Sequence, residues 1–216
     1  MEKFIQELKE KTPILNQPYF RSLNNGDMEK EKFKETQVCF YDAVLFFSRP
    51  MFFIAGGLNS YSEREIILEN IHDEHGNGSI ENSHGNTYRK HLLSLGINDK
   101  QIKNRKPTEA TSSFNKTLME IALNRKKEIS ASTMGMIEER YAEISQVLIQ
   151  AVIKNGWLNK KRVTHYKLHE ELDLQHARGF YKLIKSGWSN STKKEQIQRG
   201  LSLGNKLIIG LYNDLL

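Results

Sequence analysis

Residues 165–176 constrain the fold of this chain more than any other segment, because they set three polar side chains into an apolar helix face. His169, Asp173 and His176 are spaced i, i+4 and i+7, which places them within roughly a 60° arc of one helix. Large apolar side chains share that face, and charged residues lie opposite. Burying such groups is costly unless they are paired or bind a metal. The segment therefore predicts a buried metal site, with a metal-free His–Asp hydrogen-bond network as the alternative.

Helical periodicity dominates the rest of the chain, and no convincing strand alternation interrupts it. Only four prolines occur in 216 residues, which leaves room for long helices. We therefore predict one all-α domain over residues 1–216, with about seven main helices after a short one at 2–11. The main helices are expected at about 28–47, 62–75, 84–96, 108–127, 130–155, 160–185 and 192–216.

Charge and cysteine content exclude several classes of protein. The net charge is +6, but the basic residues are scattered among acidic ones and form no stripe, so we expect no nucleic-acid binding. The single cysteine, Cys39, excludes a disulfide framework and a cysteine-based zinc site, and it fits a reducing cytoplasm. The first residues contain no long apolar run, so we expect neither a signal peptide nor a membrane span.

A metal centre would need further ligands from facing helices. On the helix expected at 130–155, Glu138 lies at the margin of the apolar stripe, whereas Glu139 and Glu143 lie with the polar residues. Glu138 is therefore the inward candidate. An ordinary boundary glutamate paired with a lysine explains the same position equally well.

The densest cluster of ligand-type residues lies at 69–84, where a helix end is followed by a glycine turn. Such a turn can aim several side chains at one point, but solvated loop chemistry is an equally good interpretation. Residue type alone does not choose among the candidates, which are His72, Asp73, Glu74, His75, Glu81 and His84.

Together these segments resemble the heme-oxygenase-like non-heme iron oxidases and oxygenases. That group includes the iron-containing redox enzyme family and the chlamydial protein associating with death domains. It is similar in fold to thiaminase-II-like proteins and to pyrroloquinoline-quinone synthase. The resemblance covers about 40–180. Its motifs are Asn-x-x-Asp-Glu-x-Gly-x-Gly followed by His over residues 70–84, an inward glutamate, and His-x3-Asp-x2-His over residues 169–176.

The resemblance implies a heme-oxygenase-like helical bundle that holds two Fe(II) ions, the second weakly, and uses O2 as co-substrate. The implied metal ligands are Glu74, His84, Glu138, His169, Asp173 and His176. Tyr141 and Tyr166 are the tyrosines expected near the metals as catalytic residues. Manganese in place of iron, and Asp73 or His75 in place of Glu74, are left open. A homodimer is also implied, because it is common in this fold.

The implied function is oxidation of a small organic substrate, such as an amino acid or fatty acid, by N-oxygenation, oxidative C–C cleavage or decarboxylation. No inward lysine follows Glu138, so the self-sacrificing chemistry of the chlamydial protein is not carried over. Arg49 and Arg89 are candidates to bind a substrate carboxylate, with surface ion pairs as the alternative. The apolar run at 40–58, which includes Phe46, Phe47, Phe52 and Phe53, is a candidate pocket wall, but core packing is the more common explanation of such a run. The alternatives are an interaction module that associates with death domains and a cofactor-independent oxidase.

Overall fold

The computed structural model describes residues 1–124 and 126–216, and within these ranges it contains helices and no strand. The all-α prediction is confirmed. Residue 125, near the predicted end of the helix over 108–127, lies outside the described residues. The described ranges contain eleven α-helices, more than the seven or so predicted: α1 (Glu2–Lys11), α2 (Pro18–Asn25), α3 (Lys30–Phe46), α4 (Ser48–Gly57), α5 (Tyr61–Glu74), α6 (His84–Ser94), α7 (Asp99–Lys103), α8 (Glu109–Leu123), α9 (Lys127–Lys154), α10 (Thr164–Ile184) and α11 (Ser191–Asp214).

The extra helices are short ones, and α4 shows why they are hard to predict. No helix was predicted between residues 47 and 62, but α4 begins at Ser48 and carries Pro50 in its first turn. A proline is tolerated there because the first N–H groups of a helix have no partner within the helix. Helix α5 begins slightly earlier than predicted, and its cap is Ser60, whose Oγ accepts the backbone N–H of Glu63 at 3.1 Å.

The longest helix, α9, forms the centre of the molecule and packs along both α10 and α11. Small residues at its start allow a close approach. A Cβ atom at Gly200 of α11 would lie 2.5 Å from the carbonyl oxygen of Ile129 and would also collide with Ser132 Oγ. A Cβ at Gly204 would collide with the carbonyl oxygen of Thr133. The two helices therefore meet backbone to backbone.

Helices α3 to α6 and α8 surround this centre, with α5 and α6 lying against α10. The stretch Lys30–Gly57 is long and apolar enough to cross a membrane by length and composition alone, but half of its most apolar window is buried inside the protein. Phe33, Phe40 and Val44 are buried residues of this stretch and pack into the core. Core packing therefore accounts for much of the apolar character of this stretch.

Candidate metal centre

Four helices bring the predicted ligands together in the interior. The middle of α10 contributes three of them, α9 contributes one from the facing side, and the remaining two come from the end of α5 and the start of α6. Each of the six side chains is at most 8% exposed, an extreme degree of burial for ionisable groups. These residues are Glu74, His84, Glu138, His169, Asp173 and His176.

The ligand-type atoms at the centre fall into two groups, within each of which the atoms lie no more than 4.8 Å apart. One group consists of three histidines, His84, His165 and His169. The other combines two carboxylates and one imidazole, from Glu138, Asp173 and His176. The second group is a subset of the predicted ligands, whereas His165 was not among them.

Carboxylates hold two of the three histidines of the first group. Glu74 Oε2 lies 2.6 Å from His84 Nδ1, and Asp173 Oδ1 lies 2.7 Å from His169 Nδ1. The ring of His169 stacks on that of His84 with centroids 4.1 Å apart. Glu74 thus contacts Nδ1 of His84, the ring nitrogen that points away from the centre, and it belongs to neither of the two groups. Asp173 contacts both groups. Its Oδ1 lies next to His169 of the first group, and its carboxylate is also a member of the second group.

An outer contact also orients His176 in the second group. Its Nε2 lies 3.1 Å from Asp73 Oδ2, and its Nδ1 lies 3.6 Å from Glu138 Oε1. The other oxygen of Asp73 accepts a 2.7 Å hydrogen bond from Asn77 Nδ2. Asp73 therefore stands outside the centre as a partner of His176, and the position of Glu74 remains inward.

The glycine turn after α5 determines which residues of the 69–84 cluster face inward. Gly76 has φ of 84°, in the left-handed region, and a Cβ there would lie 2.5 Å from the backbone nitrogen of Ser83. The turn directs Glu74 and His84 into the interior. His72, His75 and Glu81 are exposed, and His75 Nε2 lies 3.3 Å from Ser48 Oγ.

Burial dominates the electrostatics of the carboxylate group. It raises the pKa of Glu138 to about 7, assisted by the neighbouring charges of Asp173 and Glu74 and opposed by His176. Burial also raises the pKa of Asp173 well above its usual range. A bound cation would hold both carboxyl groups in the charged form. The pKa of His176 rises to about 10, because Glu138 and Asp73 outweigh the opposing effect of burial.

The imidazoles of the first group respond to the same burial in different ways. Burial, together with neighbouring imidazoles, lowers the pKa of His165 and of His169 well below the ordinary value, so both rings are neutral. Burial also acts on His84, but the Glu74 carboxylate outweighs it and raises the pKa of His84. Neutral imidazole is the form that binds a metal.

The unpaired atoms at the centre fit a divalent metal such as iron. Buried polar atoms are normally hydrogen-bonded, so a cluster of exceptions calls for a ligand. Imidazole nitrogens and carboxylate oxygens are suitable donors for iron. The buried atoms that have no hydrogen-bond partner in the described part of the chain include His84 Nε2, His165 Nε2, His169 Nε2, Glu138 Oε1, Asp173 Oδ2 and His176 Nδ1.

The two predicted tyrosines occupy different layers. Tyr141 faces the centre, with its ring centroid 5.9 Å from that of His169, and burial raises its pKa well above the usual value, so the phenol stays protonated. Tyr166 lies one layer further out, where its hydroxyl donates to Gln37 Oε1 and its ring meets the edge of His91. Only Tyr141 reaches the space next to the metal-type residues.

A narrow cavity of about 30 Å³ opens beside the centre between α3, α8, α9 and α11. His84, Glu138 and Tyr141 form its inner end, and its other walls are apolar. Neither predicted arginine lines it, since Arg89 pairs with Asp99 and Arg49 stacks on Phe46. The apolar walls are formed by Phe40, Ala43, Val44, Phe47, Phe114, Ile137 and Ile208.

Sequence reasoning missed His165, although a signal for it was present. It lies four residues before His169, so it continues the stripe of the other α10 ligands by one more turn. It also missed the polar layer behind the centre, where Tyr88 and Tyr166 both donate to Gln37. That layer joins α3, α6 and α10, which no local pattern reveals.

Comparison with known proteins gives a family match that spans most of the chain. The family model of iron-containing redox enzymes matches residues 36–206. Two relatives are the 4-aminobenzoate synthases of Chlamydia muridarum and Chlamydia trachomatis. Each is 21% identical over 166 residues, which is 76% of this chain and 69% and 71% of the respective relatives.

Solved structures confirm the fold. A domain of unknown function with a heme oxygenase-like fold from Shewanella denitrificans superposes with a TM-score of 0.80 at 15% identity, covering 99% of this chain and 89% of that one. A TenA homologue from P. horikoshii gives 0.71 at 18% identity, with 99% and 94% covered. A CADD-like protein of unknown function from Nostoc punctiforme gives 0.80 at 15%, also with 99% and 94% covered.

Proposed function

The chain belongs to the iron-containing redox enzyme family, and from this premise we propose that it is a diiron oxidoreductase that uses O2 to oxidise a small organic substrate. One observation carries the proposal: six buried nitrogen and oxygen atoms that have no hydrogen-bond partner among the described residues converge in the interior. Iron bound there would supply the electrons that reduce O2 and would recover electrons from the substrate. The proposed ligands are His84, Glu138, His169, Asp173 and His176. Glu74 holds the outer nitrogen of His84.

Several residues of the chain prepare the site without touching the metal. The Asp73 carboxylate holds the outer nitrogen of His176 and thereby fixes which ring atom faces the centre. The protonated Tyr141 lines the cavity beside His84 and Glu138, so we assign its hydroxyl as the donor that meets a polar atom of the substrate. The apolar cavity walls exclude water from the reacting groups. Tyr166 is assigned a supporting role in the layer behind.

The cavity favours a substrate with an apolar body. Among the described residues, its polar lining groups are on His84, Glu138 and Tyr141 at the inner end, so one polar group of the substrate would point inward. The free space of about 30 Å³ holds little more than a water molecule, so a hydrocarbon or aromatic body would enter by displacing the side chains of Phe40, Val44 and their neighbours. A fatty acid or an aromatic carboxylic acid meets this description better than a small zwitterionic amino acid. We expect the carboxylate to be recognised at the metal centre, because no arginine or lysine in the described part of the chain lines the cavity.

We do not extend 4-aminobenzoate synthesis, the activity in the names of the chlamydial relatives, to this chain. The lysines of α9 are confined to its two ends, Lys127 and Lys154. Lys127 pairs with Glu63 at 2.7 Å, and Lys154 donates to the carbonyl of Asn24. Neither lies beside Glu138. We therefore propose an external substrate rather than a residue of the protein itself.

The proposal is tested by loading the metal-free protein anaerobically with Fe(II), removing excess iron, and measuring iron per chain and O2 uptake. We expect close to two irons per chain and O2 consumption that rises with long-chain carboxylic acids. The variants His169→Ala and Asp173→Ala should each lose at least one iron, because each removes a buried ligand from the centre.

His72→Ala is the matched control, since it removes an exposed histidine from the neighbouring helix α5. Its iron content should equal that of the wild type. Unchanged iron in both ligand variants would refute the assignment. Absence of iron uptake and of O2 consumption in the wild type would instead favour the interaction module or the cofactor-independent oxidase.

A further inference from the structure

The hydrogen bonds of Thr87 determine which nitrogen of His165 carries the proton. Thr87 Oγ1 donates its single hydrogen to the carbonyl oxygen of His84 at 3.0 Å, since a carbonyl can only accept. The same oxygen lies 3.0 Å from His165 Nδ1. Both contacts of this oxygen are hydrogen bonds only when it accepts from His165, so we assign the hydrogen to Nδ1. The lone pair of the neutral ring of His165 therefore resides on Nε2.

The neighbouring histidines have the same orientation. The Glu74 carboxylate receives Nδ1–H of His84, and the Asp173 carboxylate receives Nδ1–H of His169. In all three rings the Nε2 atom is thus the inward one, and all three Nε2 atoms are buried without a partner among the described residues. The rings lie close together, with centroids 4.5 Å apart for His165 and His169 and 5.2 Å apart for His84 and His165.

We propose that His165 is a metal ligand of this chain and that His84, His165 and His169 bind one ion through their Nε2 atoms. The ligand atoms of the three residues lie within 4.8 Å of one another, so small side-chain movements suffice to place them around one ion. The hydrogen bond from Nδ1 to Thr87 is the outer contact that metal-bound histidines usually make. This inference rests on the proposed function and adds a sixth ligand to the centre.

The two sites then differ in chemistry. Site one consists of three imidazoles, which suit iron, zinc, copper and nickel. Site two consists of Glu138, Asp173 and the Nδ1 atom of His176, an oxygen-rich set that also suits manganese. Asp173 connects them, because its Oδ1 accepts from His169 and its Oδ2 belongs to site two. Site one should therefore bind Zn(II) more tightly than site two does.

A direct test counts the coordinated histidines of the wild-type protein. The chain has seven histidines. In protein labelled with ¹⁵N in the imidazole rings and saturated with Zn(II), four histidines should show a metal-bound nitrogen, three of them at Nε2 and His176 at Nδ1. Three coordinated histidines, with His165 unchanged from the metal-free spectrum, would overturn the inference. This measurement does not depend on the folding of any variant.

Variants provide the second test, in calorimetric titrations of metal-free protein with Zn(II). His165→Phe should weaken one of the two binding steps at least tenfold and leave the other within twofold. His91→Phe is the matched control, because it removes an adjacent buried histidine that belongs to neither group, and both steps should remain within twofold.

The outcomes separate the two proposals. Two unchanged binding steps in His165→Phe would refute the role of His165 and leave the diiron proposal intact. A wild-type protein that binds no metal would refute the diiron proposal itself. If His165→Phe does not fold, His165→Gln retains a polar side chain at the same place, and the ¹⁵N count decides the question independently.

Discussion

At the scale of single residues, the centre depends on side chains that orient the ligands from outside. His176 presents Nδ1 to the centre, whereas the other three imidazoles present Nε2. The difference arises because Asp73 holds Nε2 of His176 at 3.1 Å, and Asn77 holds the carboxylate in turn. Removing such an outer contact typically costs a metal site about 10–100-fold in affinity.

We predict that Asp73→Asn weakens metal binding about 10-fold at one of two sites while preserving the number of sites, because the ligands remain but His176 loses its charged partner. Competition with a chelator of known affinity measures the effect. Asp99→Asn serves as the control, since it removes an equal charge from the surface, where Asp99 pairs with Arg89. Equal affinities in the two variants would show that Asp73 does not orient His176.

At the scale of helices, the position of the ligands depends on how closely α9 and α11 approach. Gly200 allows the contact, because a Cβ there would collide with Ser132 Oγ and lie 2.5 Å from the carbonyl of Ile129. Backbone atoms cannot move aside as the end of a flexible side chain can. The glycine, unfavourable within a helix, is therefore explained by packing.

We predict that Gly200→Ala lowers the free energy of unfolding by about 1–3 kcal/mol, because the helices must separate to admit the methyl group. Gly210→Ala on the same helix should raise it by up to about 1 kcal/mol, because a Cβ there meets no described atom within 4 Å and alanine favours the helix. Urea denaturation compares the pair. A stabilising effect at both positions would contradict the close contact.

At the scale of the whole molecule, burial of ionisable groups makes stability depend on pH. His91 is the clearest case outside the ligands, because neither ring nitrogen has a hydrogen-bond partner in the described ranges and burial lowers its pKa to about 3. The ordinary value is 6.5. The unfolded chain therefore takes up a proton as the pH falls below 6.5, while the folded protein does not, and stability is lost between pH 6.5 and 3.

We predict that the metal-free wild type loses about 2 kcal/mol more of its unfolding free energy between pH 7 and pH 5 than His91→Phe does. The variant cannot gain a proton at this position in the unfolded state, so its stability should vary less with acid. Urea unfolding at both pH values measures the difference. Parallel losses in the two proteins would mean that His91 does not contribute to acid sensitivity. Metal-free protein is used because metal release would add its own pH dependence.

The sequence by itself determined the all-α class and the face of α10 that carries His169, Asp173 and His176, because helical periodicity is a local property of the chain. It also indicated Glu138 as the inward residue of α9. It could not choose between Asp73 and Glu74, since their roles depend on where α10 passes the turn after α5. Only the tertiary structure decided that Glu74 faces His84 while Asp73 faces His176.

The third histidine of site one illustrates the same division. The spacing of His165 from His169 was visible in the sequence. Its assignment as a ligand through Nε2 depends on the contact between its Nδ1 and Thr87, which lies 78 residues away along the chain. The apolar cavity likewise exists only because α3, α8, α9 and α11 meet around it. Contacts between distant segments fix the proton position of an imidazole and the shape of a cavity, and local periodicity carries no information about either.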